Sequence, residues 1–224
     1  MATSNTLAPL GEAGLIAVVR ADIPEHAVRV TGALLDGGVS AIELTFTTPG
    51  ADEALAEARK VYGDTVLLGA GTIREPTQVD AAVRAGADFL VTPHLRPDLL
   101  RAMLATGLPC LPGVFTPSEV AQALELGAVA VKLFPASTGG PGHLRSLRGP
   151  FPDLQVVPTG GIDVGDLAAW FAAGALAVGA GSELCPRGLM QEGNWNEITR
   201  RARQFTEAAL SARPMASAAG GRVS

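Results

Sequence analysis

The sequence predicts an α/β chain, a single-domain (β/α)8 barrel of the TIM type, and three observations predict it. Eight short runs rich in Val, Ile and Leu recur at 15–20, 41–46, 66–72, 89–93, 110–114, 128–134, 155–160 and 175–181. Segments with helical periodicity separate them, at 26–36, 51–61, 76–85, 96–105, 118–126 and 164–173, with a last helix at 199–209. Small-residue turns such as Asp36-Gly37-Gly38, Ala85-Gly86-Ala87, Leu126-Gly127-Ala128 and Ala173-Gly174-Ala175 close helices just before a run, where glycine suits a left-handed cap. A strand–helix repeat calls for a parallel sheet, and runs this apolar call for cover on both faces.

Taken in order, the elements support closure. The turn after the first run, Val19-Arg20-Ala21-Asp22, lacks the glycine-rich loop of an open dinucleotide-binding sheet. Later helices open on recognisable starts: Glu75-Pro76-Thr77, Thr116-Pro117-Ser118-Glu119 and Asp163. With 224 residues the chain holds one substantial core near the lower size limit of such a barrel. The barrel is expected over 11–210, with a flexible amino end at 1–10 and a disordered tail at 211–224.

Composition narrows the partners. A net charge of −5, with no basic run and no interleaved aromatics, gives nucleic-acid binding little support. No apolar stretch of spanning length escapes charge or glycine, and the first residues carry no leader pattern, so the expected location is cytoplasmic with no membrane partner. His26, His94 and His143 lie far apart, and no metal-ligand spacing is present, so no metal is expected. Cys110 and Cys185 read as reduced thiols in or beside apolar stretches.

Lysine usage is the most informative feature. Fifteen arginines stand against two lysines, Lys60 and Lys132. Lys132 closes the sixth run, in Ala128-Val129-Ala130-Val131-Lys132-Leu133-Phe134-Pro135, and by parity shares the inward face with Ala130 and Phe134. An arginine there would stay charged, whereas desolvation disfavours a lysine's ammonium form and leaves an amine able to attack a ketone. Glu43, in Ala41-Ile42-Glu43-Leu44-Thr45-Phe46-Thr47, has the same inward parity with Thr45 and Thr47. A buried carboxylate needs a partner, and Lys132 is the obvious one. The pair serves either general acid/base and Schiff-base chemistry or structure alone.

Active sites of this fold lie at the carboxyl ends of the strands, so residues closing the other runs matter. Arg20 is placed to hold a carboxylate, or else pairs with Asp22 or solvent. Thr72 and Thr159 each offer a hydroxyl. Gly160-Gly161, after the seventh run, and Gly179-Ala180-Gly181-Ser182, after the eighth, stand where the fold usually binds phosphate; the alternative is simple tight turns.

The motifs Glu43-Leu44-Thr45-Phe46-Thr47, Gly69-Ala70-Gly71-Thr72, Val91-Thr92-Pro93-His94, Pro112-Gly113-Val114, Val131-Lys132-Leu133-Phe134-Pro135, Gly149-Pro150-Phe151-Pro152, Val157-Pro158-Thr159-Gly160-Gly161 and Gly179-Ala180-Gly181-Ser182 occur in that order. Each is weak alone, but the ordered set resembles the 2-keto-3-deoxy-6-phosphogluconate (KDPG) and 4-hydroxy-2-oxoglutarate (KHG) aldolase family, class I, over most of the chain. The resemblance implies a cofactor-independent Schiff-base lyase that cleaves a phosphorylated 2-keto acid, 2-keto-3-deoxy-6-phosphogluconate, to pyruvate and glyceraldehyde 3-phosphate. It also implies a homotrimer. It makes Lys132 the Schiff-base lysine and Glu43 the acid/base group. Thr72, Pro93, Phe134 and Thr159 become pocket residues, with Gly160, Gly161, Gly181 and Ser182 the phosphate site. Many members carry arginine where this chain has Thr47, so the carboxylate duty is expected to pass to Arg20, helped by Thr72. Three rival readings remain at this level: a 2-keto-3-deoxy-6-phosphogalactonate aldolase, which differs only in substrate stereochemistry, an isomerase or synthase on a phosphate-binding barrel, and a non-catalytic sugar-phosphate binder.

Overall fold

The computed structural model describes residues 7–213. Strands β1 (Leu15–Val19), β2 (Ala41–Thr45), β3 (Leu67–Gly71), β4 (Phe89–Val91), β5 (Cys110–Leu111), β6 (Gly113–Val114), β7 (Ala130–Leu133), β8 (Gln155–Pro158) and β9 (Val178–Ala180) alternate with helices. The helices are α1 (Ala8–Ala13), α2 (Pro24–Asp36), α3 (Ala51–Tyr62), α4 (Pro76–Arg84), α5 (Pro97–Ala105), α6 (Pro117–Glu125), α7 (Ala136–Arg148), α8 (Leu167–Ala172), α9 (Arg187–Gln191) and α10 (Trp195–Ala212). Proline opens α2, α4, α5 and α6, where its missing N–H has no helical partner to lose. Thr116 caps α6 reciprocally with Glu119.

Every strand pairing is parallel. The strands form a six-membered sheet, β5-β4-β3-β2-β1-β9, and a three-membered sheet, β6-β7-β8. The expected fifth strand, 110–114, is divided at Pro112, which has no N–H for the ladder. Its carbonyl still accepts from the Lys132 N–H at 2.9 Å. On the other side a single parallel bridge, Thr159 to Gly179, joins the end of β8 to β9. The single continuous eight-stranded ladder expected from the sequence is thus replaced by two curled sheets that meet at these points.

Two apolar clusters fill the molecule. The larger packs outward-facing strand residues, such as Ile42, Leu44, Val131 and Leu133, against the helices. The smaller gathers inward residues of both sheets, among them Ile16, Phe89, Leu111, Ala130 and Val157. Phe89 occupies space that only a glycine across the sheet leaves open, since a Cβ on Gly69 would lie 2.2 Å from its ring.

The ends differ from expectation. Residues 7–10 are not loose: Leu7 and Leu10 are buried in the inner cluster as part of α1 and the turn before it. Arg213 fastens this helix by donating to the carbonyls of Gly11 and Glu12 at 2.7 and 2.6 Å. The last helix runs on to Ala212, so residues 211 and 212 are helical; the expectations for 1–6 and 214–224 fall outside the described residues. Helix α7 went unforeseen because Ser137-Thr138-Gly139-Gly140-Pro141 hides its period. The backbone leaves helical geometry at Gly140, where φ is 65°. Among the described residues no helix is long and apolar enough to cross a membrane.

Candidate active site

Lys132 lies in β7 between β6 and β8, paired with Gly113 on one side and Val157 on the other. Glu43 lies in β2 between Val18 of β1 and Gly69 of β3. The curl of the sheets brings these two side chains, 89 residues apart in sequence, to an Nζ–Oε1 separation of 3.5 Å. They are 4 % and 2 % exposed. A charge so buried is tolerable only when paired, so each residue explains the other's position. The inward parity expected of both holds. A Cβ on Gly71 would lie 1.9 Å from Glu43 Oε1, so glycine at 71 makes the room the carboxylate occupies.

Lys132 forms part of the wall of a cavity of about 360 Å³ at the carboxyl ends of the strands. The Phe134 ring stands 5.4 Å from Nζ, centroid to nitrogen, within range of a cation–π contact when the amine is protonated. Thr159, Gly160 and Gly161 follow β8, Gly181 and Ser182 follow β9, and Arg20, Thr72 and Pro93 follow β1, β3 and β4. Ten of the twelve residues singled out in the sequence therefore share one wall. Glu43 stands behind Lys132 rather than on that wall.

Thr47 does not join them. Strand β2 ends at Thr45, and the Thr48 N–H turns back to the Thr45 carbonyl at 2.9 Å. Thr47, beyond the end of the strand, is exposed, with its hydroxyl 2.9 Å from that of Thr45 and outside the cavity wall. Arg20 does not pair with Asp22 either; Asp22 is bonded by Arg187 and by Gln191, the latter at 2.7 Å.

The glycines of the wall have separate causes. Gly160 and Gly161 have φ of 100° and 66°, in the left-handed region that disfavours side chains. Gly181 has ordinary geometry, and a Cβ there would meet the protein only at 3.7 Å or more. The fold therefore does not demand glycine at 181, and its bareness leaves backbone open to the cavity. Thr72 is the reverse case, a β-branched residue at φ 53°.

Three wall residues were not anticipated: Val18, Cys185 and Arg187. Cys185 is buried, which pushes its thiol up to about 12. It stays protonated and lies 3.6 Å from the Val18 carbonyl and 3.5 Å from that of Gly181. Arg187 holds the Asp22 carboxyl below its ordinary range, with the Gln191 contact second. Neither residue closes a strand, which is where the sequence search looked. Among the described residues no three His, Cys, Asp or Glu groups are placed to hold a metal ion.

Residues 8–201 match the family model for KDPG and KHG aldolase. The chain is 35% identical over 195 residues to the 2-dehydro-3-deoxy-6-phosphogalactonate aldolase of Escherichia coli (strain K12), covering 87% of this chain and 95% of that one. It is 35% identical to the 2-dehydro-3-deoxy-phosphogluconate aldolase of Pseudomonas aeruginosa, over 88% of this chain and 89% of the relative. The crystal structure of KDPG aldolase from Legionella pneumophila, with pyruvate captured as a covalent carbinolamine, superposes with a TM-score of 0.80 at 32% identity, over 87% of this chain and 97% of that one. With its parallel α/β architecture, its buried lysine–glutamate pair and these matches over most of its length, the chain belongs to the KDPG and KHG aldolase family.

Proposed function

We propose that this protein is a class I aldolase, an aldehyde-lyase that cleaves 2-keto-3-deoxy-6-phosphogluconate to pyruvate and glyceraldehyde 3-phosphate, and 4-hydroxy-2-oxoglutarate to pyruvate and glyoxylate as a secondary activity. The observation that carries the reading is the 3.5 Å approach of Lys132 Nζ to Glu43 Oε1 beside a cavity, with both groups removed from water. A lysine serving packing alone has no need to face such a space.

In this mechanism the Lys132 amine attacks the C2 ketone. Glu43 passes the protons that let the carbinolamine lose water to an iminium. Glu43, directly or through a water, then takes the C4 hydroxyl proton. The C3–C4 electrons flow into the iminium, the aldehyde departs, and an enamine remains. Protonation at C3 and hydrolysis release pyruvate and restore the amine. The iminium is the electron sink, so the mechanism calls on no metal or organic cofactor.

Arg20 and Thr72 take the pyruvyl carboxylate in this scheme; Thr47, at the surface, is withdrawn from it. Pro93, Phe134 and Thr159 shape the pocket around the C2 carbon. Gly160, Gly161, Gly181 and Ser182 hold the phosphate through backbone N–H groups and one hydroxyl, a role supported by the bare backbone at Gly181. The scheme takes the two sheets as one (β/α)8 barrel over 11–210, interrupted at Pro112 and joined at Thr159–Gly179. It takes the protein as a cytoplasmic homotrimer, which light scattering at three chain masses would bear out.

Borohydride reduction in the presence of pyruvate tests the chemistry. A stable mass should appear on the peptide containing Lys132, and its absence from folded enzyme would refute the proposal. The 35% identity to a phosphogalactonate aldolase favours a second reading, in which the substrate differs only in stereochemistry. Pyruvate release from the two epimers separates them.

A further inference from the structure

Two guanidinium groups, not one, border the cavity. Arg20 follows β1, and Arg187 opens α9. Arg187 reaches the cavity because the chain after β9 folds back on itself: the N–H groups of Leu184 and Cys185 both donate to the Gly181 carbonyl, at 3.0 and 2.9 Å. The Cys185 thiol fastens the same turn to Val18 and Gly181. Arg187 thus returns to the side of the mouth formed by Gly181 and Ser182, and the Thr159–Gly179 bridge sets Gly160 and Gly161 beside it.

Asp22 binds one Nη2 edge of the guanidinium, and Gln191, one turn further along α9, bonds the other oxygen of the same carboxylate. The side chain is nevertheless 68 % exposed. A guanidinium has five N–H donors, so a carboxylate on one edge leaves the rest of the fork for a second anion. A 2-keto acid phosphorylated at its far end carries negative charge at both ends. Backbone N–H groups and one hydroxyl supply no full positive charge, and Arg20 is committed to the carboxylate in the scheme above.

We propose that Arg187, fixed against Asp22, is a specificity-determining residue that binds the phosphate end of the substrate and selects phosphorylated over unphosphorylated 2-keto acids. The inference rests on the aldolase reading and adds a residue to it. Replacing Arg187 by Ala should raise KM for 2-keto-3-deoxy-6-phosphogluconate roughly 10- to 100-fold, the loss typical of a charge-assisted contact, with kcat within about threefold. Exchange of the pyruvate methyl protons with deuterium, a partial reaction without phosphate, should stay within about twofold. Arg187→Lys should recover part of the KM, because it returns a point charge without the fork. Arg203→Ala, the same charge change on α10, should leave KM alone.

An equal loss in cleavage and exchange, no loss in either, or the same KM rise in Arg203→Ala would each overturn the assignment. Borohydride trapping with pyruvate keeps the two readings apart. An adduct in Arg187→Ala together with an unchanged KM sinks the role of Arg187 alone, whereas no adduct in the wild-type enzyme sinks the aldolase reading as well.

Discussion

Gly71 decides where Glu43 can be. A methyl group at 71 would overlap the carboxylate, so Gly71→Ala must drive Glu43 off its position against Lys132. Misplacing a proton-transfer group by about an ångström costs about a hundredfold in rate. Turnover in Gly71→Ala should therefore fall on the order of a hundredfold while circular dichroism shows a folded protein; near-normal turnover would mean that the pair is not the catalytic couple. Glu43→Gln keeps the volume and removes the proton acceptor, and steady-state assay should show a loss of roughly 10²- to 10⁴-fold. Thr72 offers a test of opposite sign. At φ 53° it holds strain of about 1–3 kcal/mol, part of which Thr72→Gly should release, less the extra chain entropy of glycine. The variant should unfold at equal or higher denaturant concentration and bind pyruvate more weakly; a fall in stability would show that Thr72 is not strained. Much of this was legible in advance. Lys132 stood out because a chain with fifteen arginines places a lysine in an apolar run, and Glu43 followed by parity. Thr47 shares its hydroxyl contact with Thr45 but lies exposed outside the cavity wall, because strand β2 stops two residues before it. Arg187 escaped notice because its position depends on a turn that no periodicity records.

The elements divide between those whose pattern is intrinsic and those that depend on what they cover. The strands and the Pro-started helices were readable because burial on both faces and fixed starts leave marks in sequence. Helix α1 left none: six residues, Ala8-Pro9-Leu10-Gly11-Glu12-Ala13, are too short and glycine-broken to hold a helix alone. It exists because Leu7 and Leu10 close the amino end of the inner cluster. Leu10→Ala removes a side chain that is 2 % exposed and should lower unfolding free energy by about 2–5 kcal/mol in urea titration. A loss below about 0.5 kcal/mol would show that the helix merely rests on the sheets. The division at Pro112 has a similar logic. Hydropathy shows one apolar run there, while the missing N–H that separates β5 from β6 is visible only as proline chemistry.

Across the molecule, stability and chemistry occupy opposite ends of the same strands. Leu10 lies in α1, ahead of the amino end of β1, whereas the cavity walls lie toward the carboxyl ends, with Lys132 and Glu43 within β7 and β2. Glu43 is level with Val18, three residues along β1 from Leu15, a rise of about 10 Å beyond the end of α1. At that separation, with no shared partner, substitutions add. The double variant Leu10→Ala/Gly71→Ala should therefore lose stability equal to the sum of its single variants within about 0.5 kcal/mol. Its activity per folded molecule should match that of Gly71→Ala alone. Folded fraction from urea titration and turnover from steady-state assay supply the two measurements. If the double variant were less active per folded molecule than Gly71→Ala, strain at the amino end would be reaching the Lys132–Glu43 pair. The packed layer between them, Phe89 against Gly69 foremost, would then be its route, because Gly69 is the residue paired with Glu43 across β2 and β3.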